Sequence, residues 1–113
     1  MCTKNELSII LRKLAEVYKS VYGERIVKIF LYGSYARGDF DRESDIDIVA
    51  LVRGERSVLQ EQLKQVWDIS SDLELEYDTI LSPTVIPYEE YIRYIDVLPY
   101  YKNIEKEGVE IVA

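Results

Sequence analysis

Two acidic side chains on one predicted strand are the first residues of this sequence that could do chemistry. Asp45 and Asp47 alternate with Ile46 at the start of the segment 45–52. Residues i and i+2 of a β-strand point to the same face, with Cα atoms about 6.5–7 Å apart. Two like charges there are unfavourable without partners, and a divalent cation is the simplest partner. Because Mg²⁺ uses one or two carboxylates and completes its shell with water and phosphate, the pair predicts a phosphate-transfer metal site.

A glycine turn upstream of the aspartates could bind that phosphate. A strand predicted over Ile26 to Tyr32 meets Gly33 and Ser34, and Ser34 could cap a short helix through Arg37 that Gly38 ends. Backbone N–H groups and the dipole at a helix N-terminus favour phosphate. The Ser34 hydroxyl and the Arg37 guanidinium would add donors that fit phosphate oxygens. The turn and the aspartates therefore predict an anion site beside a metal site.

Each half of this pattern also has an ordinary explanation. A Gly-Ser turn alone is more often just a turn and a cap, and Asp45 and Asp47 alone are more often solvated strand residues. Arg37 could pair with the acidic side chains of the 39–43 loop, whose own carboxylates would repel a triphosphate. It is the joint occurrence of the two halves on adjacent elements that favours a nucleotide and metal site.

Composition removes several other kinds of function. The chain has 113 residues, a net charge of −7 and no histidine, which excludes His-based acid–base chemistry and His-ligated zinc. A pI near 4.6 argues against direct binding of nucleic acid. The one cysteine, Cys2, indicates a reducing compartment, and no apolar run is long enough for a membrane span. We expect a single cytoplasmic domain over residues 1–113 without a signal peptide.

Helical and strand periodicities alternate along the chain. Helices are predicted over 7–22, 34–37, 57–69, 88–95 and 100–107, strands over 26–32, 45–52 and 73–81, and a terminal extension over 109–112. Pro83 and Pro87 bracket a short extended piece. Strands alternating with helices predict an α/β (α+β) domain with a small mixed sheet and flanking helices.

The two halves of the site together resemble a known signature. Gly33-Ser34, ten residues, and then Asp45-x-Asp47 is the pattern of the DNA polymerase beta-like nucleotidyltransferase superfamily. The wider string from Gly33 to Val49 is similar to its minimal nucleotidyltransferase branch. These are small cytoplasmic proteins, usually paired with HEPN-domain proteins as toxin–antitoxin systems.

The resemblance implies a third carboxylate on a neighbouring strand. The segment 73–81 offers three acidic residues on one face of its predicted strand. Asp78 best matches the family position, and Glu76 is the reserve. In the family this carboxylate helps to activate the attacking hydroxyl. Asp45, Asp47 and Asp78 would then be the catalytic and metal-binding residues.

The implied reaction is nucleotidyl transfer from ATP, with two Mg²⁺ ions. Asp45 and Asp47 would hold both ions, Asp78 the ion at the acceptor, and Gly33 and Ser34 the β- and γ-phosphates. For the minimal branch the acceptor is a tyrosine of a HEPN toxin, which adenylylation would silence.

Two other functions fit the sequence less directly. The chain could be a catalytically weak antitoxin that neutralises a basic partner by contact, since its surface is acidic. It could also transfer a nucleotide to a small molecule. Tyr88, Tyr91 and Tyr94 recur at helical spacing and suit either an interface or the cover of the core edge.

Overall fold

The computed structural model describes residues 4–38 and 45–111. Its elements, in chain order, are α1 (Lys4–Tyr22), a 3-10 turn (Gly23–Arg25), β1 (Ile26–Tyr32), α2 (Ser34–Arg37), β2 (Ile46–Val52), α3 (Arg56–Tyr77), β3 (Leu81–Pro87), α4 (Tyr88–Tyr94), α5 (Pro99–Glu107) and β4 (Val109–Glu110). The predicted acidic loop from Asp39 to Ser44 lies outside the described residues, as do Cys2 and Val112. No helix within 4–38 or 45–111 is both long and apolar enough to cross a membrane.

The four strands form one mixed sheet in the order β3-β2-β1-β4. β1 is antiparallel to β2 and to β4, whereas β2 is parallel to β3. A parallel pair needs a long crossover, which α3 supplies. The predicted α/β domain with a small mixed sheet and flanking helices is therefore confirmed.

The central strand β2 is buried on both faces. Ile48 and Ala50 belong to the core cluster that packs against α1 and α3, whereas Val49 and Leu51 belong to a second cluster with α4 and α5. This two-sided burial explains why the sequence from Ile48 onward is a continuous apolar run rather than an alternating one. The two carboxylates upstream of that run therefore lie at the end of a rigid, fully packed strand.

The predicted strand over 73–81 is wrong, because Leu73 to Tyr77 form the last turns of α3. Leu73 is 6% exposed and Leu75 is 84% exposed, although a strand face would bury both. The buried residues of α3 instead follow helical spacing: Leu59, Leu63, Val66, Ser70 and Leu73. The helix predicted over 57–69 thus continues for two more turns.

The third long strand, β3, begins at Leu81 and contains both prolines of the short extended piece. Pro83 lies opposite Ile48 and Pro87 opposite Val52 in the parallel register. Because β3 is an edge strand, a missing N–H donor costs little on its open side. The Trp67 indole N–H donates to the Pro83 carbonyl at 2.9 Å, which fixes α3 across this strand.

Two buried tyrosines tie α1 to the rest of the domain. The Tyr22 hydroxyl donates to the Leu59 carbonyl at 2.7 Å, and the Tyr18 hydroxyl donates to the Thr84 carbonyl at 2.9 Å. Burial raises the pKa of Tyr22 to about 12 and that of Tyr18 well above its usual range. Both phenols must therefore stay protonated in the fold.

We expect Tyr22→Phe to lower the free energy of unfolding by about 1 kcal/mol at neutral pH, because it removes one buried hydrogen bond. The unfolded phenol ionises near its ordinary pKa of 10, whereas the folded one ionises near 12. The wild-type stability that comes from this group is therefore lost as the pH rises through that window. Urea unfolding from pH 8 to 11 should show a shallower decline for Tyr22→Phe. The exposed Tyr94→Phe is the control, and an equally shallow decline there would contradict the assignment.

Candidate active site

The turn after β1 is built on a glycine that no other residue could replace without strain. Gly33 has φ 77° and ψ −152°, and it is the N-cap of α2. The prediction that the Ser34 side chain caps this helix is wrong, because Ser34 is its first residue and no side chain caps the helix. The Ala36 and Arg37 N–H groups both donate to the Gly33 carbonyl at 3.1 Å, so the Ser34 amide precedes the first intrahelical bonds. Gly38, in the left-handed conformation, ends the helix as predicted.

Asp47 lies near the start of the central strand β2, next to this turn. Its Cα is paired with Tyr32 on β1 and with Ser82 on β3. A Cβ atom on Gly33 would lie only 2.5 Å from the Asp47 carboxylate oxygen Oδ2. The turn and the carboxylate therefore lie against each other, and the absence of a side chain at position 33 is what allows it.

Asp45 stands beside Asp47 at the start of the same strand. It is exposed, whereas Asp47 is half-buried. The Ile46 N–H donates to the Ile80 carbonyl at 2.9 Å and so fixes the backbone between the two aspartates. The Ser82 hydroxyl lies 3.5 Å from Asp45 Oδ2, at the outer limit for a hydrogen bond.

The electrostatics of the pair suit a bound cation. Burial raises the pKa of Asp47, and repulsion from Asp45 raises it further, while the nearby Arg37 partly opposes both. A buried carboxylate held next to a second one is costly in the absence of a counter-ion. The donor set, two carboxylates with a hydroxyl close by, fits a hard divalent cation such as Mg²⁺.

Arg37 is placed within the electrostatic range of the site but has a second partner. Its Nη1 lies 3.7 Å from Glu107 Oε2 on α5. The alternative partners suggested by the sequence, Asp39 and Asp41, lie outside the described residues. The half-exposed guanidinium interacts with Asp47 as well, so the structure keeps Arg37 next to the predicted phosphate site.

The acidic residues of the segment 73–81 lie on the last turns of α3 or directly after that helix. Asp78 is the left-handed C-cap of α3, with φ 50°, and its N–H donates to the Glu74 carbonyl. Glu76 pairs with Lys13 at 3.6 Å, and the Glu74 carboxylate accepts the Leu81 N–H at 3.0 Å. In residues 4–38 and 45–111 no three metal-binding side chains come together. The strand that was expected to align Asp78 with the aspartate pair is a helix end, so its assignment as third ligand lacks this geometric basis.

A small cavity beside Asp47 contains residues that the sequence did not predict for the site. Its volume is about 150 Å³, and it is lined by Tyr32, Asp47, Val49, Ser82, Thr84 and Tyr100. The Tyr32 and Tyr100 rings meet edge to face, with centroids 5.8 Å apart. Ser82 and Thr84 could have been found from the sequence only by placing β3 at Leu81, which the 73–81 alternation obscured. A larger cavity of about 530 Å³ lies at the outer edge of β1 and includes neither aspartate.

The three tyrosines at helical spacing on α4 do not share one environment. Tyr91 is buried and donates to Glu105 at 2.7 Å, while Tyr94 is exposed. Tyr91 therefore covers the edge of the core. Tyr94 remains available on the surface.

Comparison with known proteins gives the family. The model of the nucleotidyltransferase domain matches residues 11–111. Two relatives from Methanocaldococcus jannaschii, provisionally named protein adenylyltransferases MJ0141 and MJ0604, are 32% and 35% identical. The first alignment covers 94% of this chain and 99% of the relative, and the second covers 87% and 90%.

Solved structures share the fold at lower identity. A protein from Sulfolobus solfataricus, provisionally named a nucleotidyltransferase, has a TM-score of 0.52 at 23% identity, covering 96% of this chain and 86% of that one. A toxin–antitoxin complex with AMP-PNP has a TM-score of 0.52 at 20% identity, covering 94% and 71%. A mutant of the MntA-HpeT toxin–antitoxin complex has a TM-score of 0.55 at 17% identity, covering 88% and 70%. Since the family model matches most of the sequence and two relatives are more than 30% identical over nearly their whole length, the chain belongs to the nucleotidyltransferase domain family.

Proposed function

We propose that this chain transfers AMP from ATP to a tyrosine hydroxyl of a partner protein, a HEPN toxin, and thereby acts as its antitoxin. The relatives provisionally named protein adenylyltransferases support the chemistry, and the likeness to toxin–antitoxin structures supports the partner. The observation that carries the proposal is the contact of Gly33 with Asp47, which puts a phosphate-binding turn against a carboxylate pair.

The roles of the residues follow from their positions. Gly33 and Ser34 would bind the β- and γ-phosphates through the backbone of the turn, and Arg37 would add charge beside them. Asp45 and Asp47 would hold Mg²⁺, which when bound neutralises charge on the phosphate oxygens and on the leaving pyrophosphate.

The reaction is an in-line displacement at the α-phosphorus. The acceptor hydroxyl gives up its proton to solvent as its oxygen forms a bond to phosphorus, the bond to the oxygen that bridges the α- and β-phosphorus atoms breaks, and pyrophosphate leaves. The chain would contribute positioning above all, since the turn and the aspartates are fixed by β1 and β2. The cavity beside Asp47, which Tyr100 and Thr84 also line, is where the acceptor hydroxyl would enter.

A module that neutralises its partner by contact is the second candidate, and an exposed apolar surface favours it. Along α4, the turn after it and the start of α5, five large apolar side chains are exposed, with Val97 68% exposed: Ile92, Tyr94, Val97, Leu98 and Tyr100. Large exposed apolar groups grouped together mark interaction sites. Tyr100 also lines the cavity beside Asp47, so a partner docked here would lie next to the site.

Replacement of either aspartate separates the two candidates. We expect Asp45→Asn and Asp47→Asn each to lower the transfer of α-labelled AMP to the co-expressed partner by at least about 100-fold, since metal-bound charge stabilisation is worth several kcal/mol. The control is Asp68→Asn, an exposed position on α3. Undiminished transfer would refute the proposal, and full neutralisation of the toxin by both variants would favour the contact module. A loss for Asp78→Asn as large as that for Asp47→Asn would restore Asp78 as a ligand.

We expect the charged Asp47 carboxylate to lower the free energy of unfolding at neutral pH. The folded pKa of Asp47 is raised above its usual value of 3.8, so its charged form is disfavoured at neutral pH and the penalty is relieved as the pH falls through the folded pKa. In metal-free buffer at pH 7, Asp47→Asn should raise Tm by up to about 5 °C. That gain should shrink on acidification towards pH 4. A lower Tm for Asp47→Asn than for the wild type at pH 7 would contradict this account.

Gly33 and Gly38 have similar φ, so substitutions at the two positions separate the effect of backbone strain from that of the close approach to Asp47. Gly33→Ala and Gly38→Ala both place a side chain at positive φ, at about 1–2 kcal/mol each. At Gly38 no described atom lies within 4 Å of the added Cβ, whereas at Gly33 it meets Asp47. We expect Gly33→Ala to weaken AMP-PNP binding by at least about tenfold more than Gly38→Ala, a difference of about 1.4 kcal/mol measurable by calorimetry. Equal losses would show that the contact does not matter.

A further inference from the structure

The neighbour of Asp47 on the adjacent parallel strand is a serine. Ser82 is paired with Asp47 in the β2–β3 register, and both line the cavity of about 150 Å³. The Ser82 hydroxyl is also 3.5 Å from Asp45 Oδ2. A neutral hydroxyl therefore occupies the place from which a β3 side chain would reach both aspartates.

Apart from Asp47, the other side chains that line the cavity are neutral as well. Asp47 is flanked by Tyr32 on the β1 side, and Thr84 and Tyr100 complete the cavity. The Thr84 hydroxyl already donates to the Ile48 carbonyl at 3.1 Å. Among the described residues the donors here are thus two carboxylates and a few hydroxyls, and hard divalent cations depend on carboxylates for most of their protein ligands.

The acidic residues that precede β3 have structural partners. The Glu74 carboxylate accepts the N–H of Leu81 and so joins the end of α3 to the start of β3. Glu76 pairs with Lys13 of α1, and Asp78 ends α3. Using Glu74 as a ligand would require breaking its bond to Leu81 at the start of the strand that carries Ser82, and using Glu76 would break its pair with Lys13.

We propose that this chain binds a single divalent ion in its active site, through Asp45 and Asp47, and that Ser82 replaces the ligand that a second ion would need. Two divalent ions 3.5–4 Å apart repel strongly, and besides the phosphate oxygens of the nucleotide the described residues offer only two carboxylates to offset that repulsion. The inference rests on the proposed function for the presence of ATP and Mg²⁺ at this site. It replaces the two-ion arrangement that the family resemblance implied.

The count of bound ions tests the inference without measuring transfer. The full chain, freed of metal, is titrated with Mn²⁺ in the presence of saturating AMP-PNP, and bound Mn²⁺ is counted by electron paramagnetic resonance against AMP-PNP alone. We expect one Mn²⁺ per wild-type chain with no spin coupling, and at least tenfold weaker Mn²⁺ binding in Asp47→Asn. Ser82→Asp should bind two Mn²⁺ ions with a coupled signal, while Ser82→Ala should still bind one.

Each outcome decides the matter. Two coupled ions on the wild type would overturn the inference and would show that carboxylates outside the described residues complete the site. A folded Ser82→Asp chain that still binds one ion would also overturn it, because Ser82 would then not be the limiting position. The wild-type count stands by itself should Ser82→Asp fail to fold. A count of one together with no AMP on any protein would leave this inference intact and refute the proposed acceptor.

Discussion

The contact between the Gly33 backbone and the Asp47 carboxylate is the constraint on which the site depends. A Cβ at position 33 would come within 2.5 Å of Asp47 Oδ2, so the chain can close this distance only with glycine. The contact also requires that the end of β1 lie beside the start of β2, which the antiparallel pairing of Tyr32 with Asp47 provides. The site therefore requires both the pairing of β1 with β2 and a glycine at position 33.

The packing of β2 makes this constraint rigid. Its apolar residues are buried on both faces, between α1 and α3 on one side and α4 and α5 on the other. Such a strand cannot shift its register without moving two cores. The two carboxylates at its start are therefore held in fixed positions. The half-buried charge of Asp47 is tolerated because the packing of β2 on both faces holds it in place.

The parts of the fold that the sequence predicts are those governed by local patterns. Helix α1, strands β1 and β2 and the turn at Gly33 have clear periodicity or clear stop signals. The end of α3 does not, because Leu73, Leu75 and Tyr77 alternate with acidic residues and mimic a strand, while the buried residues follow the helical period from Leu59. Only the docking of α3 against β3 decides between the two patterns.

Because the strand was predicted over 73–81 instead of beginning at Leu81, Ser82 and Thr84 were not predicted for the site. Strand β3 contains Pro83, which lowers its apparent strand propensity, and its parallel register against β2 depends on long-range pairing. Asp78 was therefore expected on the strand beside the aspartates, whereas Ser82 is the β3 residue paired with Asp47. The aspartate pair and the Gly-Ser turn were predictable because both halves are encoded within a few residues. Ser82, the residue paired with Asp47 on the neighbouring strand, was not predictable in this way, because the position of β3 depends on where α3 ends.

A crystal structure of this chain with Mn²⁺ and AMP-PNP, using the anomalous signal of manganese, tests the central claim most directly. The account predicts that the β- and γ-phosphates lie on the turn at Gly33 and Ser34, with manganese bound by Asp45 and Asp47. Phosphates bound in the larger cavity at the outer edge of β1, or manganese away from the two aspartates, would contradict it.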